Sequence, residues 1–224
     1  MIYLNAVLSQ QHAPDKLPAA VRAALGKPLR RAAALTQLAL IGALACLPKA
    51  RRQLPTALLW QSTSGPRQET LTLLDEVCNG QVEPMPYDFL ASQPAIAAAQ
   101  IQPFLPGLQS ATHFPLDTEG AANWSLLITL ASNWLDEGRY AQVLCAQLDS
   151  WADATTGHWL ALCTEHLENS SASLHIRSTN FLAAQPDTPD FPAHLAKWLQ
   201  APTSPVLHLQ SSATPRLAVE FAKI

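Results

Sequence analysis

A layered α/β fold with a mixed central sheet flanked by helices is the class this sequence predicts, and three observations predict it. Runs of β-forming residues alternate with segments of helical periodicity along the chain. Residues 57–80 read cleanly as a strand, a turn and a helix. Hydrophobic residues make up 48% of the 224 and charged residues only 14%, against roughly 25% charged in an average soluble domain. That balance builds a core and excludes intrinsic disorder. With a soft expectation of about 150 residues per domain, no internal repeat and no low-complexity tail, residues 1–224 are expected to form a single domain.

The elements follow in order. Residues 2–8 are rich in β-formers and read as a short strand. Residues 18–25 look helical, with Gly26 placed as a C-cap. Residues 32–47 are almost wholly apolar, with Arg30 and Arg31 before them and Lys49, Arg51 and Arg52 after. The run is shorter than the roughly 20 residues of a membrane span, and basic flanks at both ends specify no orientation. It reads as a buried helix ended by Pro48, and no membrane span is expected. The start, Met1-Ile2-Tyr3-Leu4, lacks the positive region of a signal peptide.

Residues 57–61, between Pro55 and Ser62, suit a central strand. Thr63-Ser64-Gly65-Pro66 then offers a capping hydroxyl and an early proline. The helix that follows carries Leu71, Leu74, Val77 and Cys78 at helical spacing and closes at Asn79 and Gly80. Residues 81–107, punctuated by Pro84, Pro86, Pro94, Pro103 and Pro106, form a crossing segment. Residues 110–116 read as a strand that Pro115 moves to an edge. Asp117 or Thr118 is placed to cap a helix over 119–136, stopped by Gly138, and 141–148 is a buried strand. Residues 158–163 and 173–177 read as paired strands about a polar turn at 168–171. A short helix over 191–199 and strands over 206–210 and 216–222 complete the chain.

The formal net charge of −3 points to no nucleic-acid partner, but its distribution is uneven. Residues 1–67 hold nine Lys or Arg against the single acid Asp15, and the remainder is strongly acidic. The basic third is either a solvated face whose Arg stems cover apolar neighbours or a docking surface for an acidic partner. A chain this poor in charge also exposes apolar area, which a permanent partner would cover. Cys46, Cys78, Cys145 and Cys163 stand far apart, with no metal or disulfide spacing, so a reducing cytoplasm fits best.

Candidates for chemistry are few. The glycines are scattered singly and form no phosphate-binding loop. His158 and His166 read as structural or surface residues, because a metal site needs three or four convergent ligands. No cofactor and no metal are expected. Ser62, Ser64 and Ser125 lack the small neighbours of a nucleophile elbow. The turn shaped for catalysis is Leu116-Asp117-Thr118-Glu119-Gly120-Ala121, which contains no Cys and no Ser. Thr118 suits a cap, and Glu119 suits a helix N-terminus.

This turn and its surroundings resemble the N-terminal half of the β-ketoacyl synthases, the condensing enzymes of the thiolase-like fold. Residues 63–70 followed by Leu73 and Leu74 look like the segment that opens a helix after a central strand. Pro86-Tyr87-Asp88-Phe89 through Gln93-Pro94-Ala95 is similar to the family's crossing segment, with Gln93 where an Asn is expected. Residues 107–149 track the nucleophile strand, helix, glycine stop and following strand. The resemblance covers roughly residues 55–150. The family's catalytic cysteine has no counterpart in 117–121, and the half that supplies its two catalytic histidines is missing, so the thiolate chemistry of condensation is unavailable.

A half-length relative without the catalytic cysteine, this chain resembles the chain-length factors of type II polyketide synthases, particularly the short class of aryl polyene pathways. The resemblance implies a non-catalytic subunit that pairs with an active ketosynthase and walls the tunnel of a chain carried on an acyl carrier protein. It implies that strand 110–116 meets the partner's equivalent strand, covering an exposed edge. It points to Phe89, Leu90 and Gln93, then to Thr112, Phe114, Leu116 and Glu119, as tunnel or interface residues. Arg30, Arg31, Arg51 and Arg52 are placed to steer an acidic carrier protein. Two other readings stay open: a stand-alone α/β acyltransferase or hydrolase using a Ser–His pair, and a thiolase-like scaffold for some other protein.

Overall fold

A computed structural model describes residues 1–224 except 81, 82, 84, 119, 180, 182, 183, 203 and 215. Strand β1 (Ile2–His12) runs on past residue 8, alternating inward and outward side chains as a strand with one packed face does. Helix α1 (Leu17–Leu25) closes on Gly26, whose φ of 71° sets the left-handed cap and lets its N–H reach the Arg22 carbonyl at 2.8 Å. Helix α2 (Ala34–Cys46) is buried on nearly every side, as its continuous apolar sequence requires. Both of its ends are tied from outside. The Ala34 N–H donates to Glu69 Oε1, and the Arg52 guanidinium donates to the carbonyls of Leu44 and Leu47.

Strand β2 (Thr56–Ser62) is wholly buried. Helices α3 (Arg67–Asn79), α4 (Pro86–Ala91) and α5 (Ile96–Ile101) form the crossing excursion, and strand β3 (Leu108–Pro115) follows. Helix α6 (Trp124–Asp136) leads to strands β4 (Gln142–Ser150), β5 (Thr155–Cys163) and β6 (Ala172–Ser178). The last segment holds β7 (Gln185–Pro186), helix α7 (Phe191–Gln200), β8 (Val206–Gln210) and β9 (Leu217–Lys223). Among the described residues the strands form one sheet in the order β3-β2-β4-β5-β1-β6-β9-β8-β7. Strand β2 lies parallel between β3 and β4, while β5, β1, β6, β9 and β8 pair antiparallel. The mixed sheet flanked by helices is the expected class, and 110–116 is an edge as expected.

Three expectations change. The strands at 158–163 and 173–177 do not pair with each other, because β1 lies between them: Tyr3 faces Cys163 on one side and Ser173 on the other. The helix expected from 119 begins at Trp124, and the turn after β3 is correspondingly longer. No side chain of 63–66 caps α3, and neither Asp117 nor Thr118 caps α6; a carboxylate far along the chain, Asp187, caps α6 instead, and another, Asp149, ties the turn that precedes α3.

Two apolar layers enclose the sheet. One packs Leu58, Trp60, Leu144, Ala146 and Trp159 against α1, α2 and α5. The other packs Leu59, Val143, Cys145, Leu160 and Phe221 against α6 and α7. The Trp159 indole lies across the backbone of Gly42 in α2 and Gly157 in β5, where an added Cβ would fall 2.1 and 2.0 Å from the ring. Those glycines are spaces made for one large ring. Helix α3 is different: none of its residues is buried, and Leu71, Leu74 and Val77 lie open to solvent.

Candidate functional site

Two strand-to-helix turns lie side by side where the parallel strands end. The first leaves β2 at Ser62 and enters α3, and the second leaves β3 at Pro115 and enters α6. Each would leave backbone N–H groups without partners, a ready place for an anion. In this chain both places are filled by carboxylates of the protein itself. Asp149 at the end of β4 accepts from the N–H groups of Thr63 and Ser64 at 2.7 and 2.8 Å and from the Thr63 hydroxyl at 2.9 Å. Its other oxygen accepts from Gln147 Nε2.

The turn into α6 is closed in the same way. Asp187 accepts from the Trp124 N–H at 2.8 Å, the Ser125 N–H at 3.1 Å and the Ser125 hydroxyl at 2.7 Å. The preceding N–H, of Asn123, donates to Gln61 Oε1 on β2. Asp187 is buried, and burial raises its carboxyl pKa above the ordinary value against the pull of those three bonds. An open cleft of about 430 Å³ lies over this turn, lined by Thr118, residues 120–123, Asp187, Ser212 and Ala213. The residues that line the cleft include no thiol, and its helix N-terminus is already occupied by the Asp187 carboxyl group. Neither Asp187 nor Asp149 was visible as a site residue from spacing, since each acts across more than 60 positions of sequence.

The expected site residues fall into separate groups. Thr112 and Phe114 point from β3 to the α6 face, opposite Leu59 and Gln61, and Phe114 packs on that layer. Leu116 follows and its N–H donates to the Ser62 carbonyl at 2.9 Å. Phe89 and Leu90 sit together on α4, with Phe89 56% exposed, and Gln93 donates to the Ser92 hydroxyl. Glu119 lies outside the described residues. The α4 pair belongs to the side of the sheet that carries α2, because α3 and α4 touch the start of α2 through Glu69 and Tyr87. The edge strand therefore stands between two groups of candidates rather than among one.

The four arginines divide as well. Arg30 and Arg31 precede α2, whereas Arg51 and Arg52 follow it, roughly 20 Å away along the helix at about 1.5 Å per residue. Arg51 is occupied by Gln142 and Glu165, and Arg52 by the end of α2.

A further pairing went unread in the sequence. Ser62 Oγ lies 2.8 Å from His113 Nε2 across the β2–β3 boundary and accepts from the Gly65 N–H. The His113 ring stacks on Trp60, and burial lowers its pKa to about 4 against the attraction of Asp149. The ring is thus neutral, and its tautomer sets which of the two atoms donates. His158 bonds Ser9 at 2.8 Å and His166 sits edge-on to Tyr3, so neither joins this cluster.

No protein-family model and no curated protein matches the sequence. Solved structures do match its shape. A chain of the complex of the ketosynthase ApeO with its chain length factor ApeC from Xenorhabdus doucetiae aligns with a TM-score of 0.57 at 13% identity, over 99% of each chain. The ishigamide ketosynthase/chain length factor aligns at 0.60 and 12% identity, over 100% of this chain and 99% of the other. The AntDE:AntF complex, a type II PKS acyl-carrier protein with its ketosynthase, gives 0.57 at 11% identity, over 100% and 99%. The chain shares the thiolase-like fold of these structures. That likeness extends over the whole chain, well beyond the window of residues 55–150 that carried the sequence resemblance. No helix among the described residues is long and apolar enough to cross a membrane.

Proposed function

We propose that this chain is the non-catalytic chain-length-factor subunit of a type II polyketide synthase of the aryl polyene kind, a single domain over residues 1–224. It pairs with an active ketosynthase in the cytoplasm and shapes the tunnel for a chain borne on an acyl carrier protein. The observation that carries this reading is the turn into α6. It keeps the strand, turn and helix of a ketosynthase-type fold but has no thiol, and Asp187 occupies the N–H groups that would otherwise favour a thiolate or an oxyanion. The neighbours in shape, which come from ketosynthase and chain length factor complexes and from a carrier-protein complex, support the choice of partners. So do the free β3 edge and the uncovered apolar side chains of α3 and α4.

In this reading Thr112, Phe114, Leu116 and Glu119 flank the partner strand, and Phe89, Leu90 and Gln93 reach the partner's chamber. Steering of the carrier falls to Arg30 and Arg31, because Arg51 and Arg52 are bound up within the fold. The test is co-expression with the neighbouring open reading frames, identification of what co-purifies, and intact-mass measurement during turnover. The expected result is a one-to-one complex in which only the ketosynthase becomes acylated; an acyl group on this chain overturns the reading. Within that complex, Phe89→Ala should lengthen or broaden the polyene products, and an unchanged distribution removes Phe89 from the tunnel.

The Ser62–His113 contact favours a second reading, a small hydrolase or acyltransferase. Ser62 is only 1% exposed, and the adjacent N–H groups that could hold an oxyanion are spent on Asp149. Labelling of Ser62 by a fluorophosphonate is the outcome that would establish it.

A further inference from the structure

The loop between α1 and α2 carries Lys27, Arg30 and Arg31, and among the described residues none of these makes an ion pair. Two of the three cations rest on aromatic rings instead. Lys27 Nζ lies 5.0 Å from the centre of Phe104, and the Arg31 guanidinium lies 4.6 Å from the centre of Tyr87. Arg31 also holds φ at 58°, the left-handed region, where a side chain is strained. Its carbonyl is fixed by the Gln100 amide at 3.0 Å. Such a residue persists only where its surroundings over-determine it.

Tyr87 belongs to α4, a two-turn helix that buries none of its residues. An element held by so little sits at the low end of local stability, and the guanidinium on Tyr87 ties it to the α1–α2 loop in addition to its packing against α3. A cation over an exposed ring is a weaker contact than a charge-assisted hydrogen bond to a phosphate or carboxylate. An anion arriving at the loop therefore outcompetes the ring for Arg31.

We propose that Arg31 is a latch between an anion-docking loop, Lys27 to Arg31, and helix α4. The acidic face of a carrier protein docking on the loop draws the guanidinium off Tyr87 and loosens α4, which bears Phe89 and Leu90. Carrier docking on one side of α2 is thus coupled to the residues offered to the partner chamber. The choice of occupant rests on the function proposed above; the latch itself rests only on the contacts just described.

The test is amide hydrogen exchange over Pro86–Ala91 in the full chain, with and without inorganic tripolyphosphate as the anion. In the unaltered chain exchange should quicken about threefold or more when the anion is added, because exchange follows the local opening equilibrium. Arg31→Ala and Tyr87→Leu should exchange fast already and gain nothing from the anion, whereas Tyr87→Phe, which keeps the ring, should behave as the unaltered chain does. A segment indifferent to the anion, or an Arg31→Ala chain that responds like the original, overturns the latch. Either failure leaves the pairing with a ketosynthase to be decided by co-purification, and loss of that pairing leaves the latch to be decided by exchange.

Discussion

Asp149 and Asp187 each set a carboxylate against the backbone N–H groups of a strand-to-helix turn, and the second has measurable consequences for stability. Replacing Asp187 by Ala removes a remote cap worth about 0.5–2 kcal/mol and strands buried donors at about 1–3 kcal/mol for each group left unpaired. Urea unfolding should show a loss of about 3 kcal/mol or more, partly restored by formate, which can enter the space and accept the same bonds. The pH dependence has a definite sign. Burial raises the folded-state pKa of Asp187 above 3.8, so its contribution is complete below that pH and is lost as pH rises through the raised value. The stability gap between the unaltered chain and Asp187→Asn should narrow in that direction. His113 behaves oppositely, because burial lowers its pKa from 6.5 to about 4. Its contribution is complete above pH 6.5 and falls away towards pH 4, so His113→Gln, which keeps an acceptor for Ser62, should flatten the acid limb of a melting-temperature profile. A hydroxyl beside a helix start is a sound local reason to expect a cap at Thr118. The carboxylate that wins, Asp187, lies 62 residues beyond Ser125, and nothing in local spacing announces it.

At the scale of the element, periodicity and punctuation were enough to place the elements: α2 from its apolar run and Pro48, β2 between Pro55 and Ser62, and α6 up to Gly138. What they could not supply was the choice of partner. Strands 158–163 and 173–177 are near in sequence and separated by a polar turn, which favours a hairpin. Yet the eleven-residue β1 inserts between them, because its ladder with β5 runs nearly its full length and its inner side chains complete both core layers. Gly42 shows how closely α2 is fitted to this arrangement. Gly42→Ala gains about 1 kcal/mol of helix propensity, but it drives a Cβ into the Trp159 indole, and overpacking costs about 1–3 kcal/mol. The net should be a loss in thermal unfolding, and Trp159→Phe should suppress much of it in the double variant. Helix α3 carries the opposite signal: an apolar stripe that the sequence shows plainly but the fold leaves uncovered. A double substitution, Leu71→Glu with Leu74→Glu, should change the stability of the isolated chain by no more than about 0.5 kcal/mol, as surface changes do. The same variant should fail to co-purify with the proposed ketosynthase partner.

The whole molecule combines the closely fitted α2 with the open stripe of α3. Its charged content of 14% leaves too little polarity to cover its surface, and the deficit is concentrated rather than spread. The open stripe of α3, the exposed Phe89 and Leu90 of α4 and the unpaired edge of β3 all belong to the crossing excursion and the strand it precedes. Such a combination of free edge and apolar patch drives association with something. Purified without a partner, the chain should therefore self-associate in a concentration-dependent way through that same surface, and sedimentation should show a shift from mixed species to a single one-to-one complex when the ketosynthase is added. The Leu71→Glu, Leu74→Glu variant should remain a monomer in both experiments, because one surface serves both associations. A chain that sediments as a monomer at every concentration and ignores the ketosynthase would mean that the stripe and the edge face no partner. The ketosynthase-type shape would then have to serve chemistry or contacts located elsewhere.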